Sequence, residues 1–185
     1  MKIIRLALVL SVFALLLSAC GVGTESTGVI STPTHWFDAD WFNMPLTDAQ
    51  SGKTFTMNDY AGKVVLVETM AIWCPNCLLQ NGAVQKLHEA LGNPDDLISV
   101  SLDVDTNEDI AMLKEYAQEY GFEWHFAVAP LEVARALGNL YSAEYLNPPL
   151  APMLLIDRDG NVHQLVYGIK DVETLRKAVE PYLTK

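Results

Sequence analysis

Short apolar runs and stretches of helical periodicity alternate along the chain from residue 37 onward. The run at 63–69 is mostly apolar and is bounded by turns, as in a buried strand, whereas apolar residues from Pro75 to about Leu91 recur at helical spacing. Pro75 suits the first turn of such a helix. The same two patterns predict further strands over 97–103, 123–129, 153–157 and 162–168, and further helices from 106–109 to Tyr120, over 131–140 and over 171–183.

The order of these elements predicts the architecture. Strands alternate with helices up to the last two strands, which are joined by a tight turn at 158–161. Such alternation is typical of an α/β fold with a mostly parallel central sheet, and the closing hairpin adds an antiparallel edge. A length of 185 residues suits one folded domain of ordinary size.

The first twenty residues differ from the rest of the chain. Lys2 and Arg5 precede an apolar run at 6–17, which is too short for a membrane-spanning helix and fits a secretory signal. The run ends in Leu-Ser-Ala-Cys at 17–20, which resembles the lipobox of bacterial lipoproteins and implies that Cys20 is lipid-modified. We therefore expect a signal peptide at 1–19, a Gly-, Ser- and Thr-rich lipid-anchored tether at 20–36 and a folded domain at 37–185.

The charge of the chain limits its partners. Twelve basic residues stand against 23 acidic ones, for a formal net charge of −11. This balance disfavours nucleic acid and anionic lipid as binding partners. Export would also place the cysteines in a compartment where disulfides form and persist.

Cys74 and Cys77 form a C-x-x-C pair, which can be a redox couple, half of a metal site or a structural staple. A disulfide that closes so short a loop stabilises a fold by only about 2 kcal/mol. Zinc needs about four ligands, and the four histidines are scattered along the chain. The pair lies where a strand ends and a helix begins, and a helix N-terminus favours a thiolate. The pattern therefore favours a redox pair, with Cys74 attacking and Cys77 as the less exposed resolving thiol.

The stretch from Gly62 to Cys77, with GKVVLV followed by WCPNC, resembles the thioredoxin superfamily, and more narrowly its TlpA/ResA-like extracytoplasmic branch. The resemblance covers roughly residues 37–183. It implies a thioredoxin-like fold with a mixed central sheet and an N-terminal extension. It also implies a thiol–disulfide oxidoreductase without a cofactor beyond the redox-active Cys74–Cys77 disulfide. The partners would be client protein disulfides, as in cytochrome c maturation, and a membrane or extracytoplasmic electron donor.

The resemblance assigns roles to three further residues. Glu68 lies six residues before Cys74, where thioredoxins carry a buried acid that exchanges protons with the resolving cysteine. Burial without a cationic partner would raise the pKa of its carboxyl group. Pro152 is expected to be the cis-proline that lies against the cysteines, with Pro149 as the second choice. Trp73 is expected either to cover the thiols or to pack in the core.

Two other functions remain open on this fold. A thiol peroxidase needs Pro-x-x-x-Thr-x-x-Cys, and this chain has Val67 and Ala71 at those positions relative to Cys74. A copper-binding assembly protein would use thiols and a histidine, although the relatives with that function use a wider C-x-x-x-C spacing. Oxidoreductase activity is the leading expectation, with the enzyme acting mainly as a reductant outside the cytoplasm, at the cell surface or in the periplasm, and anchored by lipid to a bacterial membrane.

Overall fold

A computed structural model describes residues 30–32 and 39–183. The predicted signal peptide and Cys20 lie outside these residues. The strands are β1 (Ile30–Thr32), β2 (Leu46–Thr47), β3 (Thr54–Phe55), β4 (Val64–Met70), β5 (Leu97–Asp103), β6 (His125–Val128), β7 (Met153–Ile156) and β8 (Val162–Gln164). The helices are α1 (Pro75–Ala90), α2 (Ile110–Tyr120), α3 (Leu131–Leu140) and α4 (Val172–Leu183). Within the described part of the chain, no helix has both the length and the apolar character needed to span a bilayer.

The main sheet has six strands in the order β1-β8-β7-β4-β5-β6. Only β4–β5 and β5–β6 pair in parallel, and the other three pairs are antiparallel. The prediction of a mostly parallel sheet is therefore wrong, whereas the mixed sheet is confirmed. The antiparallel pairing of β7 with β4 arises because the segment 141–152, which follows α3, brings the chain to the carboxyl end of β4. Strand β7 therefore starts with Met153 beside Glu68 and runs in the opposite direction.

The two helices next to the cysteines start at side-chain caps. Cys74 is the N-cap of α1, and Pro75 occupies its first turn. Asp109 is the N-cap of α2 and accepts hydrogen bonds from the backbone N–H groups of Ala111 and Met112. The helix start predicted at 106–109 is thus at the last of these residues. Gly121 ends α2 in the left-handed conformation, with φ at 69°, which glycine adopts without steric cost.

Strand β1 lies inside the segment predicted to be a tether. It pairs antiparallel with β8, with Ser31 opposite His163. The strand covers the outer edge of β8, which would otherwise present unpaired backbone groups.

The two faces of the central strands differ in polarity. One face packs Val65, Val67, Val100 and Leu102 against the aromatic residues Trp41 and Phe42, among others. The other face packs against α1 and α4 through residues that include Val64, Leu66, Leu87 and Leu175. Toward the carboxyl ends of β4 and β5 that second face becomes polar, and Glu68 pairs there in register with Ser101, and Met70 with Asp103. The cysteines lie at this end.

Candidate active site

Cys74 and Cys77 occupy the first turn of α1. The Cys77 backbone N–H donates to Cys74 Sγ over 3.2 Å, as an N-cap side chain requires. Both thiols are free, and both residues are buried, with 1% of Cys74 and 0% of Cys77 exposed. Access to the pair therefore requires the neighbouring loops to move, or a client to approach very closely.

The two thiols differ in their partners. Cys77 Sγ donates to the carbonyl oxygen of Pro148 over 3.4 Å. Burial raises the pKa of Cys77 far above its usual value, and its contact with Cys74 and the nearby charge of Glu68 act in the same direction. Cys77 is therefore a protonated thiol at neutral pH and needs a base before it can react.

Two acids from the segment after β5 hold the loop that precedes Cys74. Trp73 is 57% exposed, and its indole N–H donates to Asp105 Oδ2 over 2.6 Å. The backbone N–H of Ile72 donates to Glu108 Oε2 over 2.7 Å. Trp73 is thus a surface residue next to the pair, and its role as a cover over the thiols stays a prediction.

A 3-10 turn at Pro148–Leu150 packs against the cysteines from another part of the chain. Besides the contact of Pro148 with Cys77, the carbonyl oxygen of Pro149 accepts a hydrogen bond from Asn76 Nδ2 over 2.8 Å. The sequence pattern did not identify Pro148 or Asn76. A segment with three prolines in five residues signals a rigid loop, but nothing in it shows which carbonyl groups meet the cysteines.

The expected cis bond before Pro152 is absent, and no cis peptide bond occurs in the segment 39–183. Ala151 makes the reversal instead, in a left-handed conformation with φ 43° and ψ 55°. Pro152 then leads into β7, and its carbonyl oxygen accepts a hydrogen bond from the Thr69 backbone N–H. The prediction that Pro152 supplies a cis bend at the cysteines is therefore wrong, although the residue does lie beside β4.

Glu68 is buried beneath the cysteines, with 2% of its surface exposed. Neither carboxylate oxygen has a hydrogen-bond partner. Burial raises the pKa of Glu68 well above its usual value, and the charge of Lys170 partly opposes this rise. Glu68 is therefore buried, as expected. The expectation that no cation acts on it is wrong, because the charge of Lys170 does.

Lys170 precedes α4 and is itself buried, with 3% exposed. Its Nζ donates to the carbonyl oxygens of Ala151, over 2.6 Å, and Gly168, over 2.5 Å. The Gln80 side chain bonds both backbone groups of Lys170, over 2.7 Å and 3.2 Å. Burial lowers the pKa of Lys170 to about 8, while Glu68 opposes the change. No local sequence pattern pointed to this residue, because the fold alone brings the segment after β8 to Glu68.

Uncharged polar groups complete the layer under the pair. Asn81 Nδ2 donates to the Tyr116 hydroxyl over 3.3 Å, and Ser101 Oγ donates to Asn81 Oδ1 over 3.0 Å. Trp124 Nε1 donates to the same Ser101 hydroxyl oxygen over 3.0 Å. These polar groups are hydrogen-bonded to one another and not to Glu68. The charge that acts on Glu68 is that of Lys170.

A second buried acid, Asp103, lies at the end of β5. Its Oδ1 accepts the Asp105 backbone N–H over 2.9 Å, while Oδ2 is buried without a donor. Burial, with the charges of Glu108 and Asp105, raises the pKa of Asp103 to about 7.

The donor set around the thiols is small. Among residues 39–183, no group of three or more His, Cys, Asp or Glu side chains is arranged to hold a metal ion. The reactive groups of the site are the two thiols and the buried carboxyl group of Glu68.

Solved structures of known proteins share this fold. A thiol:disulfide interchange protein of the thioredoxin family from Chlorobium tepidum superposes with a TM-score of 0.63 at 19% identity, over 84% of this chain and 99% of that one. The thioredoxin domain of a thiol-disulfide oxidoreductase from Bacteroides vulgatus gives 0.58 at 17% identity, over 80% and 100%. A SCO1/SenC family lipoprotein from Bacillus anthracis gives 0.62 at 22% identity, over 76% and 92%.

These likenesses establish the thioredoxin-like fold that the sequence predicted. No curated protein matches the chain. The family model for Redoxin matches residues 32–180, which include both cysteines, Glu68 and Lys170. Because this match spans most of the chain, the protein belongs to the Redoxin family of thioredoxin-like oxidoreductases.

Proposed function

We propose that the protein exchanges electrons with the disulfides of client proteins through Cys74 and Cys77, working mainly as a reductant. One observation carries the proposal. The thiol of Cys74 lies at the N-cap of α1 and accepts a hydrogen bond from the backbone N–H of Cys77. The thiol of Cys77 lies one turn further along the helix, close to the buried carboxyl group of Glu68. This arrangement separates a thiol that can attack from one that needs a base.

The first step uses Cys74. As a thiolate, its sulfur attacks one sulfur of the client disulfide, and the other client sulfur leaves as a thiolate that takes a proton from solvent. A mixed disulfide then joins Cys74 to the client. The backbone N–H of Cys77 donates a hydrogen bond to this sulfur before the attack.

The second step uses Cys77 and Glu68. The carboxylate of Glu68 takes the proton of Cys77, and the resulting thiolate attacks the Cys74 sulfur of the mixed disulfide. The second client sulfur leaves as a thiolate. Two electrons have then passed to the client, and the enzyme holds a Cys74–Cys77 disulfide that a donor dithiol protein must reduce again.

The proposed location rests on the N-terminal sequence. The lipobox-like segment that ends at Cys20 supports a lipid anchor in a bacterial membrane and an extracytoplasmic location, at the cell surface or in the periplasm, where clients such as apocytochromes c present disulfides. Stable anchoring takes more than one acyl chain. Mass spectrometry of the mature N-terminus should find a multiply acylated Cys20, and an unmodified soluble protein that starts elsewhere would exclude the anchor.

Two serine variants test the exchange reaction. Cys77→Ser should still attack a client disulfide but should not resolve the product, so that a mixed disulfide accumulates on non-reducing gels. Cys74→Ser should trap nothing. Metal binding or a structural disulfide would instead respond similarly to the loss of either cysteine. If neither variant traps a disulfide peptide, the proposed function is wrong.

Copper handling is a second candidate, supported by the shared fold with a SCO1/SenC family lipoprotein. Here the two thiols of the C-x-x-C pair would be the copper donors, since no third donor of the His, Cys, Asp or Glu type joins them among residues 39–183. Titration of the reduced protein with Cu(I) against a competing chelator separates the two functions. Tight equimolar binding that Cys74→Ser and Cys77→Ser both abolish would favour copper handling.

A further inference from the structure

A hydrogen bond ties Cys77 to a segment that lies far along the chain. The thiol donates to the carbonyl oxygen of Pro148 over 3.4 Å. The same oxygen accepts the backbone N–H of Ala151 over 2.8 Å, which closes the 3-10 turn. The position of this oxygen above Cys77 therefore depends on the conformation of Ala151.

Ala151 has a conformation that is unusual for alanine. With φ 43° and ψ 55° it lies in the left-handed region, where the β-carbon of an L-residue crowds the following carbonyl oxygen. Such a conformation persists only where the surrounding structure holds it. Contacts from elsewhere in the chain must therefore keep Ala151 in place.

Lys170 makes the closest of these contacts. Its Nζ donates to the carbonyl oxygen of Ala151 over 2.6 Å and to that of Gly168 over 2.5 Å. The residue is buried, so that these two bonds fix the ammonium group. A further bond joins the same two segments, since the Gly168 backbone N–H donates to the carbonyl oxygen of Leu150 over 2.7 Å.

The backbone of Lys170 is in turn attached to α1, the helix that carries Cys77. Gln80 Oε1 accepts the Lys170 backbone N–H over 2.7 Å, and Gln80 Nε2 donates to the Lys170 carbonyl oxygen over 3.2 Å. The contacts form a closed ring that leaves α1 at Cys77 and returns to it at Gln80. Between these two residues it passes through Pro148, Ala151 and Lys170. The ring therefore sets the distance between α1 and the oxygen that meets the thiol.

We propose that Lys170 is a positioning residue for the resolving thiol, because its ammonium group keeps the Pro148 carbonyl oxygen on Cys77. It does so through the turn at Ala151. The inference rests on the proposed function, since it assumes that Cys77 resolves the mixed disulfide. It adds a contact that must break first. Cys77 has to leave Pro148 before its sulfur bonds to that of Cys74 and the client sulfur departs as a thiolate.

The contact favours the thiol over the thiolate. A carbonyl oxygen accepts the S–H of Cys77 but repels a charged sulfur, and the closed turn keeps water away. Three other titratable groups face Cys77, namely Cys74 at the start of α1, Glu68 of β4 and Tyr116 of α2. The charge of Lys170 acts on Glu68. Opening the ring should therefore make Cys77 more reactive, whereas a change in charge alone should act through Glu68.

Lys170→Met opens the ring, because methionine fills a similar space but cannot donate to a carbonyl group. The measurement is alkylation of Cys77 by iodoacetamide over a range of pH, in full-length protein carrying Cys74→Ser, with the modified peptide quantified by mass spectrometry. Lys170→Met should accelerate alkylation about tenfold at neutral pH, the effect of lowering a pKa by one unit. Loss of a cation alone would disfavour the thiolate, so that a purely electrostatic role predicts slower alkylation.

Two further variants separate the ring from the charge. Gln80→Met breaks the ring at its attachment to α1 and keeps the charge of Lys170, and it should accelerate alkylation by a smaller factor. It also provides the test if Lys170→Met does not fold. Lys177→Met removes a lysine of α4 whose side chain is 71% exposed, and alkylation should stay within about twofold of the Cys74→Ser protein.

Glycine at position 151 should rescue the loss of the lysine. Glycine adopts a positive φ without steric cost, so that the turn no longer needs the contact with Lys170. Ala151→Gly combined with Lys170→Met should return alkylation to within about twofold of the Cys74→Ser protein. Asn93 provides the control, since it is another residue with a positive φ, at 53°, and lies beyond the far end of α1. Asn93→Gly combined with Lys170→Met should restore nothing.

The outcomes judge the inference and the proposed function separately, because alkylation needs no client. Unchanged or slower alkylation in Lys170→Met, or equal rescue by the two glycine variants, would overturn the positioning role. If Cys77→Ser still traps a client in that case, the exchange reaction stands. If Lys170→Met accelerates alkylation but Cys77→Ser traps nothing, the ring of contacts stands and the proposed function fails.

Discussion

Glu68 and Asp103 are two buried acids on neighbouring strands, and their comparison shows what decides the role of a buried carboxyl group. Glu68 pairs in register with Ser101, two residues before Asp103, so that both acids lie on the same face of the sheet. Burial raises the pKa of each. From burial alone, the two residues would be interchangeable.

Their partners differ in charge. Glu68 faces the Lys170 ammonium, whereas Asp103 faces the carboxyl groups of Glu108 and Asp105. A cation offsets the cost of ionising a buried acid, and a second acid adds to that cost. Glu68 is therefore suited to gain and lose a proton during the reaction, whereas the acids near Asp103 favour the protonated form of its carboxyl group.

The largest effect is expected on the rate of disulfide reduction, which should depend on Glu68 and not on Asp103. Glu68→Gln should lower the rate of disulfide reduction about 100-fold at neutral pH, a loss typical of a missing general base. The matched change Asp103→Asn should cost no more than about threefold, because its proton is not transferred. Turnover of a fluorescent disulfide peptide measures both, and equal losses in the two variants would remove the distinction.

The second prediction concerns stability against pH. An aspartate in the unfolded chain loses its proton near pH 4, whereas native Asp103 keeps it up to about pH 7. The native state binds more protons in that interval, so that the free energy of unfolding falls as the pH rises, by at most about 1.4 kcal/mol per pH unit from this group. Asp103→Asn removes this contribution.

Urea unfolding over the same pH range measures the difference between the two proteins. The variant should gain stability relative to the unmodified protein as the pH rises toward neutrality. A constant difference across the range would show that Asp103 ionises normally in the native state.

A smaller effect is expected from the contact between Glu108 and the loop that precedes Cys74. Glu108→Ala removes the acceptor of the Ile72 N–H and should cost about 1 kcal/mol of unfolding free energy. Hydrogen exchange of the Ile72 amide should become faster in this variant. Glu108→Gln keeps an acceptor oxygen and should retain most of the protection of this amide. If exchange of the Ile72 amide is unchanged in Glu108→Ala, the contact is excluded.

The smallest effect is expected at the surface. Trp73→Phe removes the indole N–H bond to Asp105 but keeps an aromatic ring next to Cys74. Because Trp73 is largely exposed, unfolding free energy should change by less than about 1 kcal/mol. Calorimetry checks this value, and a much larger loss would mean that the ring is packed in the solution structure.

Local patterns in the sequence were sufficient for β4 to β8, for the four helices and for the identity of the two cysteines. The apolar run of β4 and the helical spacing of α1 place Cys74 at a helix start, and a buried position for Glu68 follows from its place on an apolar face. These features depend on residues close together in the chain, where periodicity and capping preferences are informative.

The parts that the sequence did not show depend on long-range contacts. Lys170 reaches Glu68 because β8 and the start of α4 fold back over β4, and Pro148 reaches Cys77 because the segment after α3 returns to that edge. The bend at Ala151 replaced the expected cis bond at Pro152, since a buried alanine took up a left-handed conformation that its residue type does not announce. No local pattern encodes such contacts.

The central claim is that Glu68 removes the proton of Cys77 during resolution. The most direct measurement is the single-turnover rate at which a preformed Cys74 mixed disulfide releases its peptide, followed over pH in the unmodified protein and in Glu68→Gln. The account predicts that the unmodified protein keeps a substantial rate well below the pH at which Cys77 ionises. In Glu68→Gln the rate should instead rise about tenfold per pH unit, as hydroxide replaces the missing base. Superimposable pH profiles in the two proteins would contradict the claim.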